Sequence, residues 1–278
     1  IKMPKKVLLH DIHQAIITKN FDDLKLCAES SEDISGTVRG KTPLSLAIYH
    51  NEKDMVQLLV NHGANLNKRS KDPSGRIEPP LLSACRLGYV DIAKILIKAG
   101  SDVNQLDFFG QTPLWIATKE RRFELVKLLV SSKADLHMAN EFTNCPIYLA
   151  TKNLKHRENI AIYLIRCGVK LGLKDQGDKS AINWSLIHQN YNIFQKICYA
   201  GGLKDQKINP EDHSLKLVSD DQKDIFFDLV CSPMKLQHLC RIVIRRHLLC
   251  YTNGTSIEWV VQTLPIPKSI SSSIFLLD

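Results

Sequence analysis

Apolar and polar positions alternate along this chain in a repeating two-helix pattern. In residues 40–67 one short apolar stripe covers residues 42–47, and a second covers residues 55–60. Apolar residues three and four positions apart mark the buried face of a helix. A His-Gly-Ala-Asn segment then closes the unit, and its glycine, Gly63, suits the left-handed backbone that ends many helices. The pattern predicts a helical hairpin over these residues.

The same unit recurs with a period of about 33 residues. Pro43, Pro80, Pro113 and Pro146 begin the first helices, with steps of 37, 33 and 33 residues between them. A Thr before the Pro caps the helix, and the Pro occupies the first turn, where a backbone N–H has no partner. A T-P-L-x-x-A motif at this period resembles the ankyrin repeat. The resemblance implies an all-α solenoid of stacked hairpins.

About six repeats are expected to make residues 1–231 an ankyrin-repeat domain, with degenerate first and last repeats. The first is expected at 7–36 and the last at 203–231, where residues 219–222 fit a capping box ahead of an apolar face. A linker is the alternative for 203–231. The clearer repeats lie between them, at residues 40–67, 75–104, 110–137, 143–171 and 177–202.

Two departures from the repeat carry structural expectations. Lys133 stands where most of the other repeats end in Gly, and a left-handed backbone there would cost of order 1 kcal/mol. The 37-residue step places four extra residues within 68–75, a polar run containing Pro and Gly. We expect this run to be a loop in the finger, the segment that joins one repeat to the next. A smaller insertion near 153–157 is expected to lengthen a turn between helices.

Fingers and first helices form the concave binding surface of such a domain. Trp115 and Tyr148 occupy the variable position of the motif, and we expect them to be partly buried between helices. Other residues at fingertips and at a first-helix end are candidates for substrate contact, against the alternative that each packs on a neighbouring finger or forms a solvated face. These candidates are Phe108, Phe109, Lys119, Arg121, Arg122 and Phe142.

The repeat pattern ends at Ser232. Residues 232–247 combine a Ser-Pro helix start with one apolar stripe, formed by Leu236, Leu239, Cys240, Val243 and Ile244. A shorter apolar helix follows at 256–261, and then a rigid Leu-Pro-Ile-Pro segment that cannot continue a helix. An isolated helix of this length is marginal in water, so its stripe must be buried. A partner's groove and the last repeat are the two alternatives.

Two motifs in this segment resemble the SOCS box. Leu236, Cys240 and Ile244 match L-x-x-x-C-x-x-x-Φ, where Φ is apolar, and residues 264–267 match L-P-Φ-P. With the repeats before it, the whole chain resembles the ankyrin-repeat and SOCS-box family, and residues 232–278 are expected to form a three-helix box. Lys235 and the lack of Tyr after Pro267 depart from the family pattern. Phe275 is the aromatic residue that remains there.

The resemblance implies a function for each half of the chain. In that family the first box helix docks on Elongin C, the L-P-Φ-P half helps to recruit a cullin, usually of the cullin-5 type, and the repeats hold a protein to be ubiquitinated. The Elongin-binding residues would be Pro233, Leu236, Leu239, Cys240, Val243 and Ile244. The cullin-binding residues would be Leu264, Pro265, Ile266 and Pro267.

We therefore expect a non-catalytic substrate adaptor of an Elongin B/C, cullin and RING ubiquitin ligase, which promotes proteasomal degradation of an unknown protein. The alternative is an ankyrin scaffold or regulatory protein without a ubiquitin role, whose last helices only cap the stack. A net charge of +8 raises a third hypothesis, nucleic-acid binding. Acidic residues are interleaved with the basic ones in every repeat, which weakens it.

The composition and motifs of the chain do not favour a membrane protein, a disulfide-rich secreted protein, an enzyme or a zinc protein. The apolar runs are too short to span a bilayer, and no secretory signal precedes them, although a start at Ile1 indicates a fragment or processed chain. The eight cysteines include no C-x-x-C pair, which favours reduced thiols in a cytoplasmic or nuclear protein. We expect no cofactor, because nucleotide-binding and hydrolase motifs are missing. His238, Cys240 and Cys250 lack a fourth zinc ligand at sensible spacing.

Overall fold

The computed structural model describes most of the repeat region and only single residues of the C-terminal segment. The chain divides into two compact units, residues 1–128 and 129–278. None of the helices in the described part of the chain has both the length and the apolar character that a membrane crossing needs. The described residues are 9–30, 33–72, 74–138, 145–152, 157–175, 177, 179–188, 190–201, 244, 248 and 256.

Helices of the first unit come in pairs, one pair for each repeat. They are α1 (Leu9–Ile17), α2 (Phe21–Ser30), α3 (Pro43–Tyr49), α4 (Lys53–Asn61), α5 (Pro80–Leu87), α6 (Val90–Lys98), α7 (Pro113–Lys119) and α8 (Phe123–Ser131), which crosses the boundary at residue 128. The first helices α1, α3, α5 and α7 pack in one row, and α2, α4 and α6 pack in another. The motif alanines Ala47, Ala84 and Ala117 are 0% exposed. Their small side chains let the first helices approach closely.

The second unit repeats this arrangement. Its helices are α9 (Pro146–Lys152), α10 (Glu158–Arg166), α11 (Ala181–Ile187) and α12 (Tyr191–Tyr199). First helices α9 and α11 pack together, as do second helices α10 and α12. Ala150 is again fully buried, as is Ser185, which stands at the alanine position of the motif in α11. The predicted last repeat at 203–231 lies outside the described residues.

Helix starts follow the motif chemistry, with two substitutions. The Thr42 and Thr112 side chains accept hydrogen bonds from the backbone N–H groups three residues on, at 3.2 and 3.0 Å. Pro79 replaces Thr before α5 and offers no side-chain cap. Before α11, which lacks Pro, Ser180 and Asn183 form a reciprocal capping box. The cap therefore persists where the proline has been lost.

Helix ends confirm the predicted left-handed backbone. Gly63 has φ +82° and Lys133 has φ +66°, so Lys133 adopts the conformation that glycine adopts elsewhere. Both residues donate to the carbonyl three residues back, at 3.0 Å. A Cβ added at Gly63 would meet no heavy atom within 4 Å. The left-handed backbone therefore strains Lys133, whereas Gly63 adopts it without a Cβ clash.

The finger insertion was predicted as a loop, and that prediction was wrong in part. Two short strands, β1 (Ser70–Lys71) and β2 (Ile77–Glu78), pair antiparallel with Ser70 opposite Glu78. Asp72 closes the hairpin, because its N–H donates to the Arg76 carbonyl at 2.7 Å and its Oδ1 accepts from the Arg76 N–H at 2.8 Å. The four extra residues supply this closing turn. Of the two motif aromatics, Trp115 is half-buried as expected, whereas Tyr148 is fully buried.

His137 links two fingers in the second unit. Its Nδ1 accepts a hydrogen bond from the Lys170 N–H at 3.3 Å, and its carbonyl accepts from the Cys145 thiol at 3.0 Å. Burial lowers the pKa of His137 to about 4, against a raising effect from Asp135. A proton on Nδ1 would break the bond to Lys170. The fold therefore holds this imidazole neutral.

We expect Lys133→Gly to raise the free energy of unfolding by about 1 kcal/mol, since glycine adopts positive φ without the Cβ clash. Gly63→Lys is the matched control, and we expect it to lower the free energy of unfolding by a similar amount. Chemical denaturation of both variants measures these changes. A Lys133→Gly variant less stable than wild type would contradict the interpretation.

We also expect a His137-dependent loss of stability in acid. The folded pKa lies below the ordinary value of 6.5, so the unfolded chain binds more protons between pH 6.5 and about 4, and stability falls as pH drops through that window. His137→Asn keeps an acceptor near the Lys170 N–H and should remove roughly 2 kcal/mol of this loss. Denaturation from pH 7 to 4 measures it. Equal acid slopes in both proteins would disprove the assignment.

Candidate protein-interaction groove

The finger before α7 is built around Asp107. Its Oδ1 accepts hydrogen bonds from the backbone N–H groups of Phe109 and Gln111, both at 2.8 Å, and Gly110 takes φ +70°. Asp side chains commonly stabilise turns in this way. The bonds fix a turn that presents Phe108 and Phe109 outward, 80% and 58% exposed. Their rings meet edge to face, with centroids 5.7 Å apart.

The neighbouring finger is the β1–β2 hairpin. Successive residues of a strand point to opposite faces, and here Ile77 is 54% exposed while Glu78 is 3% exposed. The insertion therefore places one apolar side chain outside and one carboxylate inside the molecule.

Buried charges join the two fingers through Arg86, in the last turn of α5. Its Nη2 lies 2.8 Å from Glu78 Oε2, its Nε lies 3.1 Å from the same oxygen, and its Nη2 lies 3.9 Å from Asp107 Oδ2. Ser83 donates to the other Glu78 oxygen at 3.0 Å. Asp107 is 6% exposed. Arg86 thus forms a close ion pair with the buried carboxylate of Glu78 and a longer, weaker one with that of Asp107.

Between the two fingers lies an open cavity of about 560 Å³, which we name the finger groove. One wall is the hairpin, the other is the Asp107 turn with its two phenylalanines, and the buried charges line it as well. The lining residues are Ser74, Gly75, Arg76, Ile77, Glu78, Arg86, Asp107, Phe108, Phe109, Gln111 and Lys119. Its volume falls in the range of about 300 to 1,000 Å³ that is typical of ligand sites.

Two protein-family models match this chain. The family model described as ankyrin repeats, in three copies, matches residues 12–107 and 81–175, which together make more than half of the chain. The SOCS box model matches residues 232–272. The chain belongs to the ankyrin-repeat and SOCS-box family. The predicted ankyrin-repeat fold and family are thereby confirmed.

Individual relatives cover parts of this family member. The B-cell lymphoma 3 protein homolog of Mus musculus is 30% identical over 112 residues, 40% of this chain and 24% of that protein. Ankyrin repeat and SOCS box protein 6 of Homo sapiens is 37% identical over 73 residues, 26% of this chain and 17% of that protein. The chain thus spans less than a quarter of either relative. The crystal structure of EF0377, an ankyrin repeat protein, superposes with a TM-score of 0.59 at 20% identity, over 68% of this chain and 96% of that one.

Three of the six sequence-predicted substrate contacts line the finger groove: Phe108, Phe109 and Lys119. Lys119 Nζ lies 5.2 Å from the centroid of the Trp115 ring, one turn back along α7. The structure does not bring Arg121 and Arg122 to the groove, because they lie in the turn after α7.

In that turn Arg121 has φ +59°. The Arg122 guanidinium packs over Gly88, where an added Cβ would lie 2.8 Å from Cζ. Phe142, the sixth predicted contact, lies outside the described residues.

The SOCS-box predictions fall almost entirely outside the described residues. Ile244 is the exception, and it is helical and 39% exposed. Leu248, one turn later, is helical and 9% exposed. The other predicted Elongin-binding and cullin-binding residues that lie outside are Pro233, Leu236, Leu239, Cys240, Val243, Leu264, Pro265, Ile266 and Pro267.

In the described residues there is neither an activated thiol at Cys85, Cys145 or Cys198 nor a cluster of metal ligands. Burial raises the pKa of Cys145 to about 11 and that of Cys198 to about 12, and it raises the pKa of Cys85 as well. These thiols therefore stay protonated at neutral pH and are poor nucleophiles. Within the described ranges, no group of three His, Cys, Asp or Glu side chains could hold a metal ion. His238, Cys240 and Cys250 lie outside those ranges.

Sequence reasoning missed Ile77, Glu78 and Arg86, which supply a wall of the groove and its buried charges. The 37-residue step marked the insertion, but no local pattern showed that it would pair as a hairpin. A Glu eight residues before an Arg does not by itself predict an ion pair. The pair forms only because strand β2 and helix α5 bring the two side chains together.

We expect Arg86→Met to lower the free energy of unfolding by about 3 to 5 kcal/mol, because two buried carboxylates lose their counter-ion. Adding Glu78→Gln to Arg86→Met removes one of those charges and should recover part of the loss. Lys94→Met is the control, since its 3.6 Å pair with Asp91 is exposed, and it should change stability by less than about 0.5 kcal/mol. Urea denaturation of the four proteins measures this cycle. An Arg86→Met cost as small as the control's would refute the buried-pair account.

Proposed function

We propose that this chain is the substrate-recognition subunit of a cullin-RING ubiquitin ligase. The ankyrin repeats, residues 1–231, would bind the target protein, and the SOCS box, residues 232–278, would bind Elongin B/C and a cullin-5-type scaffold with its RING protein. One observation carries the proposal: a SOCS box match at 232–272 follows ankyrin repeat matches in the same chain. Ubiquitination of the target would then promote its proteasomal degradation.

The SOCS-box half of the proposal rests on helix-in-groove docking. Leu236 enters the Elongin C pocket, and Leu239, Cys240, Val243 and Ile244 continue the same stripe at helical spacing. Pro233 fits the first turn of that helix. The segment from Leu264 to Pro267 favours the cullin. The 39% exposure of Ile244 is compatible with an outside partner.

The ankyrin half rests on the finger groove and its exposed aromatics. Exposed phenylalanines on a fixed turn supply contact area at little entropic cost, and aromatic side chains are enriched in protein interfaces. Phe108, Phe109 and Lys119 are the proposed substrate contacts at the groove. Arg121 and Arg122 remain proposed contacts outside it, and Phe142, which lies outside the described residues, remains a proposed contact as well.

The mechanism of such a subunit is positional rather than catalytic. Holding a target beside the charged ubiquitin-conjugating enzyme raises the effective concentration of its lysines. Protonated, buried thiols in the repeats suit that role, since it requires no nucleophile from this chain. They also suit a cytoplasmic protein, and a nuclear location is compatible with the same chemistry.

Co-expression with Elongin B and C, followed by gel filtration, tests the proposal. We expect the wild-type chain to co-elute with both subunits and Leu236→Asp to lose co-elution, because a carboxylate cannot enter an apolar pocket without a large desolvation cost. Phe108→Asp carries the same type of change on an exposed finger and should still co-elute. When a cullin-5-type scaffold is co-expressed as well, changing Leu264 and Ile266 to Asp should lose co-elution of the cullin but keep that of Elongin B and C.

Two outcomes would overturn the proposal. A wild-type chain that does not co-elute would favour an ankyrin scaffold without a ubiquitin role. Co-elution that survives Leu236→Asp would place the Elongin contact elsewhere in the chain.

A further inference from the structure

The hairpin that the insertion creates is covered on one side only. The Lys71 N–H, on the outer side of β1, donates to the Gly40 carbonyl of the preceding finger at 2.8 Å. That finger is itself closed by a bridge between Val38 and Lys41. Strand β1 therefore has a partner on each side, and β2 lies next to the finger groove.

The pairing pattern shows which way the β2 backbone points. The bond from the Asp72 N–H to the Arg76 carbonyl marks residues 72 and 76 as a hydrogen-bonded pair. Bonded and non-bonded pairs alternate along an antiparallel ladder, so Lys71 and Ile77 form the next, non-bonded pair. The N–H and C=O of Ile77 consequently point away from β1. No described residue outside the hairpin forms a backbone hydrogen bond with Ile77.

An open strand edge beside apolar side chains is a template for another strand. The Ile77 side chain is 54% exposed, and Phe108 and Phe109, on the opposite wall, are 80% and 58% exposed. A strand added to an edge lies about 4.8 Å from it and extends its side chains alternately to the two faces. The groove of about 560 Å³ between the walls gives such a segment room.

The charges at the groove identify the chemistry of the segment. Arg76 and Lys119 are exposed, whereas Glu78 and Asp107 are buried beside Arg86. The charge that a ligand meets first is therefore positive. Carboxylates in the ligand would be attracted to this opening, and basic side chains would be repelled.

We propose that the finger groove binds an extended segment of a partner protein as an added strand on β2. The segment carries an apolar side chain that contacts Ile77 and the two phenylalanines, with acidic residues beside it that face Arg76 and Lys119. Backbone bonds to Ile77 set its register, and the side chains set its specificity. This inference rests on the proposed function, in which such a segment would be the recognised part of the substrate.

Selection of a displayed library of random dodecapeptides on the full-length chain tests the inference. We expect the enriched peptides to combine acidic and apolar residues. Ile77→Pro removes the outward N–H at an edge where proline is tolerated, and it should weaken binding of these peptides about tenfold. Ile77→Val keeps the donor and an apolar side chain, and should bind within about twofold of wild type. Fluorescence anisotropy with labelled peptides measures both.

Charge variants test whether Arg76 and Lys119 attract the acidic residues of the segment. Arg76→Glu combined with Lys119→Glu should weaken binding of the same peptides at least about tenfold at low salt, and added salt should reduce the difference. Lys98→Glu, an exposed position in the last turn of α6 that does not line the groove, should bind within about twofold of wild type. Enrichment of basic peptides, equal binding by Ile77→Pro, or no enrichment at all would overturn the inference. All of these variants should still co-elute with Elongin B and C, so failure of the groove and failure of the adaptor role are read in different assays.

Discussion

An ankyrin hairpin cannot bury its apolar face alone, and the rest of this structure depends on that constraint. Within each unit, a first helix packs against the first helix of the next repeat, and the motif alanines on these helices are fully buried. The stacking fixes the spacing between repeats in each unit. The fingers then lie at set distances from one another, whatever their own sequences. The stacking itself places few demands on the sequence of a finger, because the repeats contact one another mainly through their helices.

This freedom explains how one insertion produces a candidate site. With four additional residues in its closing turn, the finger forms a hairpin that is anchored by the preceding finger and by the buried pair of Glu78 and Arg86. The same arginine lies 3.9 Å from Asp107 in the next finger. Two segments without regular helical packing are thus fixed relative to each other by charge. The exposed phenylalanines can stay at the surface because Asp107 holds their turn through its backbone bonds.

The family assignment and the groove concern different halves of the proposed function. The SOCS box match gives a reason for the apolar stripe after residue 232, where the repeat pattern ends. The groove gives a reason for the aromatics and cations that the repeats do not need for stacking. A substrate adaptor requires both, one surface that recognises the target and one segment that connects to the ligase.

Sequence by itself determined the period, the helix pairs, the proline and threonine caps and the left-handed ends, including the one at Lys133. All of these depend on residues close together in the chain, where steric and hydrogen-bonding rules act locally. It also marked Phe108, Phe109 and Lys119 as candidates. Only the tertiary structure decided that the insertion pairs as strands, that Arg86 lies between two carboxylates, and that Arg121 and Arg122 lie away from the groove. Those outcomes depend on residues from different repeats, which approach one another only after the stacking of the helices has set the distances between fingers.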